Sequence, residues 1–156
     1  MVFSKSIQAR LHYQHESIHD LIEGWNEESL KMRPNPDKWS PFENIVHLVA
    51  YQTAFIHRIK RMVTEDGPAF EKYKAENDPL FYHFLKRPMH HIMDDFDFDR
   101  VTIVNTLSKL NGTEVTKAGY HPVYGIMPLT KWIEFFLLHE AHHLFTIFRL
   151  TTNFNK

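Results

Sequence analysis

The chain has 156 residues, a formal net charge of −1 and no cysteine, with 43% hydrophobic and 24% charged residues. This length fits one domain over residues 1–156, and the near-zero charge argues against a nucleic-acid surface, which needs clustered positive charge. Without cysteine, the chain supplies neither a disulfide nor a thiolate ligand or nucleophile. No apolar stretch reaches the roughly 20 residues that cross a bilayer, and no signal-peptide pattern is present, so we expect a cytoplasmic protein without membrane contact.

The first half of the chain predicts two long helices. Apolar residues recur at spacings of three and four over 4–31, which predicts the first helix. The prolines of "RPNPDKWSP" then require a loop. Ser40, Pro41 and Glu43 form a capping box with proline at the first helical position, and the second helix is expected to run from there to about Thr64. We interpret the short basic cluster at 57–61 as the solvated end of this helix.

The second half predicts two more helices. The stretch 65–93 is irregular, with two helical turns possible at 68–76. A third helix is expected to begin at Asp97 or Asp99 and to end at the Asn-Gly pair 111–112. After a loop at 113–128, the last helix is expected from about Thr130 to Thr152. This pattern predicts an all-α four-helix bundle, in which the long 65–93 connection allows one crossover.

The last helix carries a pair of histidines at metal-ligand spacing. His139 and His143 are four residues apart, so they share a helix face on which two imidazoles can converge on one ion. Together with Glu140 they read as H-E-x-x-H, the zinc signature of many peptidases. No His, Asp or Glu follows His143, so the downstream third ligand of those enzymes is absent. Glu140 is rotated about 100° from His139 around the helix, and we expect it at the surface.

A third ligand would therefore come from an earlier helix. The best candidate is His47, which lies in the apolar run "IVHLVA" of the second helix. A histidine in such a run is either buried against a partner or bound to a metal. If three imidazoles hold an ion, metal affinity is expected to decrease when the pH is lowered below about 6, because histidines of ordinary pKa then become protonated.

The stretch Trp39-Ser40-Pro41-Phe42-Glu43, followed by His47-Leu48 and later by His139-x-x-x-His143-Leu144, resembles the DinB-like family. The segment "YHPVYG" before the last helix is also similar to that family, which includes bacillithiol S-transferases and mycothiol-dependent isomerases. The resemblance covers essentially the whole chain. It implies a four-helix bundle in which His47, His139 and His143 hold a divalent metal, with a water or substrate atom at the open position.

The resemblance implies a metal-dependent enzyme that transfers a low-molecular-weight thiol to an electrophile or catalyses a related hydrolysis. A non-catalytic bundle that binds a metal or a small molecule is the alternative. For the ion we expect zinc or nickel, since imidazole suits both. The expected partners are a small-molecule substrate and a second copy of the chain in a homodimer, as is common in the family. No catalytic residue is assigned, but Glu43 and His142 are candidates for orienting the ligands, with helix capping and a surface position as the respective alternatives.

Two further clusters of polar residues have weaker claims. The first helix carries His12, His15 and His19, but acidic residues are interleaved with them, and their role stays open. The aspartates of "DDFDFD" resemble the start of a calcium loop. Arg100 and Thr106 replace the glycine and glutamate which that loop requires, so helix capping explains the aspartates better.

Overall fold

A computed structural model describes residues 2–152. Seven α-helices and one short β-hairpin make up this part of the chain. The helices are α1 (Lys5–Tyr13), α2 (Ser17–Ile22), α3 (Glu27–Lys31), α4 (Pro41–Thr64), α5 (Pro79–Phe84), α6 (Met89–Ser108) and α7 (Leu129–Thr151), and the strands are β1 (Ala118–His121) and β2 (Gly125–Pro128). Short 3₁₀ turns lie at Gln14–Glu16, Ala75–Asn77 and Glu114–Thr116.

The bundle is formed by α4, α6, α7 and the segment that contains α1 and α2. Helix α4 packs against both α6 and α7, and α1 also packs against both. Two clusters of buried apolar residues fill the space between them, one around Ile45 and Phe96 and the other around Phe55 and Trp132. The prediction of a four-helix bundle is therefore confirmed.

Helix α4 has the predicted bounds because its start is specified locally. The Ser40 side chain accepts a hydrogen bond from the backbone N–H of Glu43, while the Glu43 carboxylate accepts one from the backbone N–H of Ser40. This capping box satisfies two backbone donors that the first helical turn leaves free. The predicted last helix is also present, as α7.

The prediction of one continuous helix over 4–31 is wrong. Ser4 caps the start of the segment, but a 3₁₀ turn at Gln14–Glu16 and a break after Ile22 divide it. Gly24 adopts a φ of 76°, a left-handed conformation that favours glycine and stops a right-handed helix. The three short helices that result still cover one side of α7 and one end of α4.

The middle of the chain also departs from the sequence-based expectation. Residues 68–76 form no α-helix, and α6 begins at Met89, well before Asp97. The predicted loop at 113–128 contains an antiparallel hairpin in which Gly119 lies opposite Met127. This hairpin packs against α7, and β1 also bridges to Ala69, so it ties the irregular 65–78 segment to the bundle.

None of the helices within residues 2–152 combines the length and the apolar character that a membrane span requires.

Candidate metal centre

Three imidazoles meet in the interior of the bundle. His47 lies on α4, and His139 and His143 lie one turn apart on α7. One ring nitrogen from each residue falls within 4.8 Å of the other two. The Nε2 atoms of His47 and His139 are 3.0 Å apart, and the ring of His143 is centred 4.4 Å from that of His47. We refer to these residues as the three-histidine cluster.

The surrounding sequence explains why these side chains point inward. Every residue of α4 from Pro41 to Gln52 is buried, so His47 has no route to bulk solvent along its helix. On α7, the buried residues Trp132, Phe136 and Ile147 lie on the stripe that includes His139 and His143. Packing α7 against α4 through this stripe therefore brings the imidazoles together.

Asn44 fixes the protonation pattern of His143. Its side-chain Nδ2 donates to the Ser40 carbonyl at 2.9 Å, so its Oδ1 faces the imidazole, where it accepts from His143 Nδ1 at 2.8 Å. An amide oxygen can only accept a hydrogen bond, so the proton of neutral His143 lies on Nδ1 and its Nε2 carries a free lone pair. A partner of this kind is typical of metal-binding histidines.

The other two members fit a metal through the position of their Nε2 atoms. Two nitrogens bound to one tetrahedral ion at about 2.0–2.1 Å lie about 3.3 Å apart, close to the separation of His47 and His139. Their Nδ1 atoms are buried and have no hydrogen-bond partner within residues 2–152. The donor set therefore fits a divalent ion that accepts imidazole ligands.

Burial also keeps the cluster neutral. Loss of solvation is the main cause that lowers the pKa of His47, His139 and His143 from 6.5 to about 3. Repulsion between a protonated imidazole and its neighbours lowers these pKa values further. Since neutral imidazole is the form that binds a metal, the onset of proton competition moves well below the pH of about 6 expected from ordinary histidines.

The family model of the DinB superfamily matches residues 10–147. The chain belongs to the DinB superfamily. This membership confirms the resemblance seen in the motifs around His47 and around the late pair of histidines.

Two solved structures share the bundle of this DinB-superfamily chain at low sequence identity. YfiT from Bacillus subtilis, described as a probable metal-dependent hydrolase with an unusual four-helix bundle topology, matches with a TM-score of 0.75 and 19% identity over 95% of this chain and 87% of its own. TT2238, a four-helix bundle protein, matches with a TM-score of 0.65 and 15% identity over 91% of this chain and 95% of its own. No curated protein sequence matches the chain.

Glu43, a candidate for orienting His47, has a different role in this DinB-superfamily bundle. Besides its part in the capping box, its carboxylate accepts hydrogen bonds from the guanidinium of Arg33. These contacts account for both of its oxygens and lie at the start of α4. The capping interpretation of Glu43 is therefore the one that the structure supports, and it is the amide of Asn44, which no sequence pattern indicated, that accepts a hydrogen bond from His143.

Glu140 is rotated away from the cluster as expected, but its predicted surface position is wrong. It is 1% exposed and forms an ion pair with Arg100, which is equally buried. The Glu140 carboxylate also accepts a hydrogen bond from Gln14 Nε2 at 2.9 Å. Helix α7 is covered by α4 on one side and by α1 and α2 on another, so the face that lies about 100° around the helix from the histidines is interior as well.

The remaining histidines stay outside the cluster. His142 is exposed, and its ring centre lies 5.2 Å from that of His143, so a role in orienting His143 stays a prediction. His15 is buried against Phe96, and burial lowers its pKa to about 4. His12 and His19 are exposed, and His19 pairs with Asp97 of α6. Within residues 2–152, only the three-histidine cluster forms a group that could hold a metal.

Aromatic side chains enclose the cluster. The ring of Trp39 is centred 5.2 Å from that of His47, and the ring of Tyr51 is centred 4.1 Å from that of His139. Tyr73, from the irregular segment after α4, lies 5.6 Å from His47. Of these, Tyr51 had a sequence signal, because it lies one helical turn after His47 on the same face.

Two cavities reach the cluster. One has a volume of about 580 Å³ and is bordered by Trp39, Asn44 and His143. The other has a volume of about 250 Å³ and is bordered by His47, Tyr51 and His139. Different members of the cluster are thus accessible from different openings.

Proposed function

We propose that this protein is a metal-dependent hydrolase of a small molecule, with a divalent ion held by His47, His139 and His143. The observation that carries the proposal is the convergence of three imidazole nitrogens within 4.8 Å of one another in a buried site. The solved structure of YfiT, which has the same fold and is described as a probable metal-dependent hydrolase, supports the same reaction class.

A divalent ion bound by three neutral imidazoles keeps its full charge, so it would act as a Lewis acid and favour the deprotonated form of a water or thiol. The residues of the chain prepare the site for that role. Asn44 holds the Nδ1 proton of His143 and keeps the opposite nitrogen available. Trp39, Tyr51 and Tyr73 cover the cluster with apolar ring faces, which limits access of bulk water.

Transfer of a low-molecular-weight thiol is the second candidate. It is favoured by the absence of cysteine, because no thiol group of the chain would compete with a thiol substrate for the ion. The two cavities that reach the cluster would accommodate a thiol and an electrophile separately. Both candidates use the same ligands and differ only in the nucleophile.

Metal content of untagged protein is the first test. We expect close to one zinc or nickel ion per chain in the wild type and a large loss in the His47→Ala variant. His91→Ala is the matched control, because His91 is an exposed histidine on α6, away from the cluster. Equal metal content in the wild type and the His47→Ala variant, with both proteins folded, would refute the site.

Turnover is the second test. Metal-loaded protein is assayed for hydrolysis of a panel of activated esters and amides, and for the reaction of small thiols with a chlorinated aromatic electrophile. We expect a rate that disappears in the His143→Ala variant and persists in the His91→Ala variant. Full metal occupancy without turnover on either panel would favour the non-catalytic binding bundle.

The predicted homodimer stays a prediction. Light scattering coupled to size-exclusion chromatography would show a mass near twice that of the 18.6 kDa chain if the prediction is correct.

A further inference from the structure

The smaller cavity beside the three-histidine cluster has an unusual lining. Its polar side chains include two cationic ones, and within the described part of the chain no aspartate or glutamate borders it. The lining residues are His47, Tyr51, Arg58, Lys72, Tyr73, His121, Val123, Tyr124, Phe135 and His139. Aromatic rings supply most of the remaining wall, so the cavity combines positive charge with apolar surface.

Arg58 is the central feature of this lining. The prediction of a solvated basic cluster at 57–61 is wrong for Arg58, since this residue is only 8% exposed. It follows His47 by about three helical turns on the same face of α4, so α4 directs both side chains toward the same cavity.

The charge of Arg58 lacks a carboxylate partner. Among residues 2–152, ion pairs engage Arg10, Arg33, Arg61, Arg87 and Arg100, and none engages Arg58. Arg100, the other buried arginine of the bundle, is 1% exposed and is paired with the carboxylate of Glu140. Burying a charge without an opposite charge is expensive, so such a group is expected where a ligand supplies the countercharge.

The contacts of Arg58 hold its guanidinium in place and leave donors available. One nitrogen donates to the backbone carbonyl of Glu71 at 3.0 Å. The guanidinium carbon lies 5.3 Å from the centre of the Trp132 ring and 5.8 Å from that of Tyr51. Because a guanidinium has five N–H groups, several remain for an acceptor in the cavity after those that bond to the Glu71 carbonyl and the Tyr51 hydroxyl.

Two other side chains add donors to the same lining. Lys72 is exposed and forms no ion pair within the described residues. His121 Nδ1 accepts hydrogen bonds from the backbone N–H groups of Val123 and Tyr124, at 3.1 and 3.2 Å. Its proton is therefore on Nε2, so the ring presents a donor on its other side. Burial lowers the pKa of His121, and the nearby charges of Arg58 and Lys72 lower it further.

We propose that this cavity binds a small organic acid, whose carboxylate is held by Arg58 and Lys72 while its body packs on the aromatic wall next to the three-histidine cluster. A planar guanidinium matches a carboxylate with two parallel hydrogen bonds, which favours this group over a neutral one. The volume of about 250 Å³ lies just below the roughly 300–1,000 Å³ of common ligand sites and restricts the ligand to a small molecule. The proposal rests on the proposed function, in that it names the substrate class for the same site.

An NMR titration that measures the binding of benzoate to the full chain tests the proposal without an activity assay. Benzamide is the neutral probe of matched shape, and inorganic phosphate is the anion without an apolar body. The titrations are made on metal-free protein and repeated on zinc-loaded protein. We expect benzoate to bind more tightly than benzamide or phosphate in both forms, with shifts at residues of this cavity.

The variants are Arg58→Met and Lys72→Met, each with a matched control. Loss of a charge-assisted hydrogen bond of about 1.5–3 kcal/mol predicts a 10- to 150-fold weaker Kd for benzoate in Arg58→Met. Arg61→Gln is the control for Arg58, because Arg61 is paired with Glu65 and does not line the cavity. Lys74→Met is the control for Lys72. Since Lys72 is exposed, its variant remains informative if Arg58→Met fails to fold.

Equal affinity of the wild type for benzoate and benzamide would overturn the proposal, as would an unchanged Kd for benzoate in Lys72→Met or in folded Arg58→Met. Phosphate bound as tightly as benzoate would overturn the assignment to an organic acid. Because the titration of metal-free protein does not depend on the ion, failure of this proposal and failure of the metal site give different results.

Discussion

Replacing Glu140 by glutamine removes the countercharge of a cation in the middle of the bundle. Arg100 and Glu140 are each 1% exposed, so water cannot solvate the guanidinium once the carboxylate is gone. Arg100 keeps hydrogen bonds to Gln52 Oε1 at 2.8 Å and to the Leu11 carbonyl at 3.3 Å, but neither acceptor carries a charge. Breaking a buried pair by removing one partner destabilises a protein by about 3–5 kcal/mol, and we expect Glu140→Gln to fall in this range.

The control is Glu134→Gln, on the same helix. Glu134 pairs with Arg10 across α1 and α7, but the two side chains are 35% and 28% exposed. Pairs with this much solvent contact contribute about 0.2–1 kcal/mol. Urea unfolding of both variants is monitored by circular dichroism. The curves are fitted with a common dependence of the free energy of unfolding on urea concentration, which gives the difference in that free energy.

A loss below about 1 kcal/mol for Glu140→Gln would refute the reasoning, because it would show that the charge of Arg100 is solvated or neutralised elsewhere. If Glu140→Gln fails to fold, the double variant Arg100→Met/Glu140→Leu answers the same question. With both charges absent, that variant should fold and recover most of the lost stability.

Three further predictions concern other parts of the structure. Asn44→Leu removes the acceptor of the His143 Nδ1 proton and should weaken metal affinity about 10- to 100-fold, measured by competition with a chelator, and an unchanged affinity would argue against this role. Gly119→Ala places a Cβ 2.6 Å from Cε2 of Phe70 and should lower the free energy of unfolding, measured by urea denaturation, by about 1–3 kcal/mol. The control Gly112→Ala, whose Cβ meets no atom within 4 Å, should lower it less, and equal losses in the two variants would contradict the packing argument. The pKa of about 3 for each histidine of the cluster lies below the unfolded value of about 6.5, so metal-free protein should lose stability as the pH falls from 7 to 5, by up to about 2 kcal/mol per histidine. The His139→Asn variant should show a weaker dependence of stability on pH, and a wild type whose stability does not change with pH would contradict the burial of neutral imidazoles.

The features that the sequence predicted well depend on neighbours along the chain. The capping box at Ser40 and the four-residue spacing of His139 and His143 are local patterns, and each has the predicted structure. The prediction that His47 joins His139 and His143 needed two observations. The apolar run around His47 indicated that it is buried, and the resemblance to a family indicated that it faces the late pair of histidines. The structure brings the three residues together, while the binding of a metal stays a prediction.

The features that the sequence predicted poorly depend on partners far away in the chain. Arg100 occupies a core position of α6, in line with Phe96 and Ile103, but a charged residue normally indicates a position in contact with solvent. Its partner Glu140 is 40 residues away, so neither burial could be recognised from local sequence. The burial of Arg58 was missed for a similar reason, because a basic stretch at a helix end normally indicates side chains in contact with solvent.

The hairpin at 118–128 was missed for a related reason. Its strands are four residues long and form only one pair, so they carry too little alternation to be distinguished from a loop. Its stability comes from contact with α7 and from the bridge to Ala69.

The separate openings at His143 and at the His47–His139 side have a kinetic consequence. A reaction that joins two molecules at this cluster would not require one to enter or depart through the path of the other. Initial rates measured with both concentrations varied should therefore follow a random sequential scheme, without the substrate inhibition that a shared entrance produces.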